Sequence, residues 1–172
     1  SIQGRGTHKD TQEVLMFIYL NNKLVPEEKA LVSVFDHGFL YGDGIYETMR
    51  AYGGIVFLID EHINRLFRSG NLIRLKIPQS KEEIKESIYH TLKRNNLKDA
   101  YIRLSISRGP GEIGLDPELC REPTFVIMAK RFKEYPEELY SKGVKVSIVK
   151  TRRNTPEALN PKIKSLNFLN NI

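Results

Sequence analysis

Tyr101, Arg103, Ser105 and Ser107 alternate with Ile102, Leu104 and Ile106. A strand over this stretch puts a phenol, a guanidinium and two hydroxyls on one face and aliphatic side chains on the other. Such a polar face either lines a pocket for an anion or is the wet side of an antiparallel sheet. Arg65, in Glu61-His62-Ile63-Asn64-Arg65-Leu66, borders an apolar helical stripe. An arginine there either runs its stem along the surface or pairs with a buried anion such as phosphate. Lys164, between Ile163 and Ser165 at the start of an expected helix, is an amine nucleophile if burial and neighbouring positive charge disfavour its ammonium form, although most lysines are simply solvated. His37 beside Asp36 reads as a structural hydrogen-bonding residue, and His62 as a surface residue. His8, His90 and the single Cys120 make no ligand set, so no metal is expected. Gly42-Asp43-Gly44 has neither the Lys-Ser/Thr pair of a phosphate loop nor the spacing of a dinucleotide fingerprint.

These residues must be held by a small set of elements. Phe17 to Leu20, Asn21-Asn22 and Lys23 to Val25 predict a hairpin, because Asn accepts the positive φ of a tight turn. Leu31 to Phe35 is a short β-branched and aromatic run, and Asp36 to Gly44, with three glycines, predicts an irregular loop. A strand over Ile45 to Tyr52 turns at Gly53-Gly54 into Ile55 to Leu58. Ile59, Ile63, Leu66, Phe67, Gly70 and Ile73 recur at helical spacing, and Ser80 with Glu83 makes a capping box for a second helix carrying Ile84, Ile88 and Leu92. A long loop over residues 108–123 separates the Tyr101 strand from a strand at Thr124 to Ala129. Pro136 to Ser141 reads as a helical turn or linker, Val144, Val146 and Ile148 as a new strand, and Ile163, Leu166 and Leu169 as a helix that ends without a cap.

The 172 residues allow one domain, or a small domain and the start of another. No apolar run approaches the length of a membrane span, the one cysteine cannot form an internal disulfide, and the first residues show no secretory pattern. A cytoplasmic protein is expected. Residues 1–15 read as a leader, with Met16 a natural start. From Lys130 onward there are ten Lys and Arg against four Glu, which accounts for the whole net charge of +6. That bias suits a phosphorylated cofactor, an acidic surface or nucleic acid. Without interleaved aromatics or a nucleic-acid-binding signature, a basic binding module is the weaker reading.

Four stretches occur in order: Asp36-His37-Gly38-Phe39-Leu40-Tyr41-Gly42-Asp43-Gly44-Ile45-Tyr46-Glu47, Glu61 to Leu66, Ala100-Tyr101-Ile102-Arg103, and Lys164-Ser165-Leu166-Asn167-Phe168-Leu169-Asn170-Asn171. From about Phe17 to Ile172 the chain resembles the class IV pyridoxal-phosphate aminotransferases, most closely the branched-chain amino acid group. The resemblance implies an α/β, D-amino acid aminotransferase-like fold. Residues 16–135 would form a small N-terminal domain with a mixed or antiparallel sheet and two helices, 136–143 a linker, and 144–172 the incomplete start of a cofactor-binding domain. It implies that Lys164 is the Schiff-base lysine, that Arg65 binds the phosphate of pyridoxal 5′-phosphate, and that Tyr41, Tyr46, Tyr101 and Arg103 line the substrate pocket.

The implied reaction is transfer of the amino group of branched-chain L-amino acids to 2-oxoglutarate, in a homodimer. Thr48 where branched-chain enzymes usually carry glycine, Phe168 where many carry tyrosine, and Leu104 where proline is common leave the substrate open. The run Leu104 to Gly109 is also similar to aminodeoxychorismate lyases and D-amino acid aminotransferases. Most of the family's cofactor contacts would follow Ile172, so the chain alone is expected to be inactive.

Overall fold

The computed structural model describes residues 15–172; the expected leader, apart from its last residue, lies outside them. Strands β1 (Phe17–Leu20) and β2 (Lys23–Pro26) form the expected hairpin, with Asn21 and Asn22 both at positive φ, 46° and 66°. Such a pair of left-handed residues matches the turn to the right-handed twist of its strands. Strands β3 (Gly44–Tyr52), β4 (Ile55–Val56), β5 (Ala100–Ser107) and β6 (Thr124–Arg131) complete a six-stranded sheet in the order β2-β1-β6-β5-β3-β4. Every pairing between these strands is antiparallel.

The alternation of β5 sorts its side chains as the sequence predicts. Ile102, Leu104 and Ile106 are fully buried, and each removes enough apolar surface from water to contribute about 1.5–3 kcal/mol. They join Ile45, Met49, Phe125 and Ile127 in one core. Helices α2 (Ile59–Leu72) and α3 (Lys81–Arg94) cover that face, burying Ile63 and Leu66 from one and Ile84, Ile88 and Leu92 from the other. The capping box at Ser80 and Glu83 is present in both directions.

Three local expectations are corrected, and one β-branched run stays outside the sheet. Residues 31–35 form no strand: Leu31, Val32, Val34 and Phe35 are all exposed, and β-branched composition without a neighbouring edge does not make one. The glycine-rich stretch is not wholly irregular. It contains a short helix, α1 (His37–Tyr41), capped by Asp36 and closed by Gly42 at φ 68°. Residues 144–148 lie outside regular structure, with Val146 and Ile148 open to solvent; alternation alone does not pair a strand. Finally, Lys164 does not begin a helix. Short helices occupy Glu137–Lys142 (α4) and Pro156–Leu159 (α5), and the segment around Lys164 is extended, pairing Ser165 with Ile45 in an antiparallel bridge.

Candidate active site

Lys164 is placed by its backbone. The Tyr46 N–H donates to the Lys164 carbonyl, and the Leu166 N–H to the Gly44 carbonyl, each at 2.9 Å. The Lys164 N–H donates to Ser69 Oγ of α2 at 3.3 Å. Glycine at position 44 permits this approach, because a Cβ there would stand 2.6 Å from both the Ile106 carbonyl oxygen and Leu166 Cδ1. Antiparallel pairing sets Lys164 opposite Tyr46, so the two side chains share the sheet face away from α2 and α3.

On that face the Lys164 ammonium lies 4.2 Å from the Tyr46 ring centroid, and Arg103 Cζ lies 4.1 Å from the same centroid. The electron-rich ring attracts both cations. Phe168 meets the buried Tyr46 ring edge-on at 5.9 Å.

Tyr46, Arg65 and Lys164 line one cleft of about 330 Å³ with Arg153, Lys162 and Phe168. Among the described residues, four cations and no carboxylate line it, a donor set suited to an anionic, phosphorylated ligand. Its volume is at the low end for small-molecule sites. Arg65 is held from beneath: its Nε and Nη2 donate to the two carboxylate oxygens of Glu47, each at 2.6 Å. Glu47 is 1% exposed although it sits on the core face of β3, between Ile45 and Met49. The His62 Nδ1–H donates to the same carboxylate at 2.9 Å. Hydrogen bonding to Glu47 raises the Arg65 pKa above its ordinary value, which keeps the guanidinium charged at all accessible pH.

Three of the six residues singled out in the sequence therefore meet in the cleft, and Arg103 reaches its border through Tyr46. Tyr41 and Tyr101 are placed elsewhere. The Tyr41 hydroxyl accepts the Gly114 N–H at 3.2 Å, and its ring packs edge-on against His37 at 5.0 Å. Tyr101 pairs with Arg50 and Lys130 at the far end of β5, four residues from Ser105, the partner of Tyr46. His37 is buried and structural as expected, its Nε2–H donating to the Glu112 carbonyl at 2.9 Å. His62 is corrected from a surface residue to the second partner of Glu47. The sequence held a signal for this cluster: an acid in an apolar register of β3, and an arginine bordering the stripe of the helix that packs on it.

A model of the class IV amino-transferases matches residues 44–172. A protein of Methanocaldococcus jannaschii provisionally named a branched-chain-amino-acid aminotransferase is 48% identical over 157 residues, covering 91% of this chain and 54% of that protein. The aminodeoxychorismate lyase of Bacillus subtilis is 40% identical, covering 90% and 52%. The crystal structure of the Escherichia coli branched-chain amino acid aminotransferase superposes with a TM-score of 0.83 at 28% identity, over 88% of this chain and 51% of that one. The chain thus spans about half the length of the curated relatives it matches. With the family model over three-quarters of the sequence and the same fold in a solved member, the chain belongs to the class IV aminotransferases.

Proposed function

We propose that the natural protein transfers the amino group of branched-chain L-amino acids to 2-oxoglutarate, with pyridoxal 5′-phosphate as cofactor and as a homodimer. The observation that carries this reading is the convergence of Lys164, Tyr46 and Arg65 on one cleft lined by cations and, among the described residues, free of carboxylates. The donor set fits the cofactor: Arg65 would take its phosphate, and Lys164 would hold its aldehyde carbon. When bound, the cofactor's ring takes up the electron pair left on the substrate Cα. Lys164 Nζ, carried on a backbone bridged to β3, is the group that accepts the Cα proton and returns it. Arg103, on the open face beside Tyr46, offers a planar fork to a substrate carboxylate. Tyr46 and Phe168 supply apolar surface beside the amine.

Replacing Lys164 by Ala in the full-length protein is expected to reduce glutamate formation from leucine and 2-oxoglutarate to background. Retained turnover overturns the assignment. The similarity to the Bacillus subtilis lyase supports a second reading, carbon–carbon cleavage of aminodeoxychorismate; pyruvate release without amino transfer decides for it. Residues 1–172 alone are proposed to give no turnover. A shift of cofactor absorbance on adding stoichiometric pyridoxal phosphate to that chain, together with product formation, decides against this.

A further inference from the structure

A carboxylate almost entirely removed from water is costly unless its oxygens are matched by donors. Glu47 is so matched, by Arg65 and His62, yet it occupies a place in β3 where an aliphatic residue would serve packing alone. Its two bonds use one edge of the guanidinium, the Nε–H and one Nη2–H. Nη2 also lies 3.2 Å from His62 Nδ1, and Nη1, which bonds no partner among the described residues, leads the opposite edge, the one left for an anion. Arg65 lines the cleft, whereas Glu47 does not.

We propose that Glu47, with His62 behind it, is the positioning residue that aims the free edge of Arg65 at a phosphate monoester in the cleft. The inference rests on the reading of that cleft as a pyridoxal-phosphate site. Two effects of Glu47 oppose each other. Its negative charge weakens the attraction of Arg65 for an anion, while its hydrogen bonds remove the rotamer freedom that Arg65 would otherwise lose on binding. The Arg65 side chain is 43% exposed, so water screens the charge effect and leaves orientation dominant. Gln at position 47 can accept from only one Arg65 donor and turns its own NH₂ toward the other.

The test compares pyridoxal 5′-phosphate with pyridoxal, which lacks the phosphate, as ligands of the full-length apoprotein, measured by absorbance and fluorescence titration. Wild-type protein is expected to prefer the phosphorylated form. Glu47→Gln is expected to weaken pyridoxal phosphate about ten- to hundredfold while leaving pyridoxal unchanged, and to have no further effect in an Arg65→Ala background. Equal or tighter phosphate binding by Glu47→Gln overturns the inference, since it would mean that charge outweighs orientation. So does an equal loss with and without Arg65, which would mark a role independent of it. If Glu47→Gln does not fold, the decision passes to Glu47→Asp, which keeps the charge but shortens the reach. Full wild-type preference for the phosphorylated ligand in Glu47→Asp overturns the inference, and a reduced preference supports it. Absence of any such preference in the wild-type protein overturns the functional reading itself, and this inference with it.

Discussion

Lys164 and Tyr46 face each other across a backbone bridge, with the Tyr46 N–H on the Lys164 carbonyl at 2.9 Å and the lysine amine 4.2 Å from the centre of the tyrosine ring. The main chain therefore fixes where the amine can go, and the ring fixes its surroundings.

Because that bridge is made by peptide groups, removing the lysine side chain should not dissolve it. Lys164→Ala is expected to change unfolding free energy by less than about 1 kcal/mol, the scale of one partly exposed cation–π contact. Native-state hydrogen exchange of the Tyr46 and Leu166 amides should stay as slow as in wild type. Fast exchange at both would show that the side chain, rather than the backbone, holds the segment.

Arg108 clamps the turn before β3. It is 8% exposed, its Nε and Nη2 bond Asp43, and it donates to the carbonyls of Ile73 at 2.9 Å and Arg74 at 3.2 Å. Arg108→Ala should destabilise the fold by about 3 kcal/mol, as expected when one partner of a buried pair is deleted. Arg108→Lys should recover only part of this, because an ammonium cannot present the planar fork. Urea unfolding of the two variants measures both numbers, and full recovery by lysine contradicts the clamp.

The capping box gives a pH-dependent increment to stability. The Ser80 backbone N–H first, and the Ser80 side chain second, hold the Glu83 carboxyl below its ordinary value of 4.5. A depressed carboxyl contributes stability that is present above the unfolded value and fades as pH falls through the lower folded one. The stability difference between wild type and Glu83→Gln should therefore be constant at neutral pH and shrink in acid below 4.5. A difference that does not change across this range would show that the carboxyl gains nothing from ionisation.

Cys120 should react slowly. Burial is the main cause that pushes its thiol pKa above 9.0, and its Sγ–H donates to the Gly109 carbonyl at 3.2 Å. A raised thiol pKa contributes stability below the unfolded value that is lost as pH rises through the folded one. The pH–rate profile for modification by Ellman's reagent should have its midpoint higher in the native protein than in urea. Coincident profiles would contradict the shift.

Features written in neighbouring residues were legible in the sequence. The Asn21-Asn22 turn, the alternation of β5 and the Ser80–Glu83 box each need a few adjacent positions, and each stands where the sequence predicts it. Features that depend on distant partners were not. Residues 144–148 alternate like a strand, but alternation does not supply an edge to pair with. The segment at Lys164 has a helical apolar pattern, yet the open edge of β3 draws it out into a bridge. The chemistry divides in the same way: Lys164, Arg65 and Tyr46 could be named from their motifs, while the carboxylate beneath Arg65 emerges only when β3 and α2 are packed together.

β4 pairs with β3 only at Ala51 and Tyr52, which leaves the opposite end of that edge to the lysine-bearing segment at Ile45. An unpaired strand edge invites another chain to add to it. The peptide that carries Lys164 is thus also a guard of the sheet. A change that frees the Lys164 segment from its station therefore exposes the edge as well.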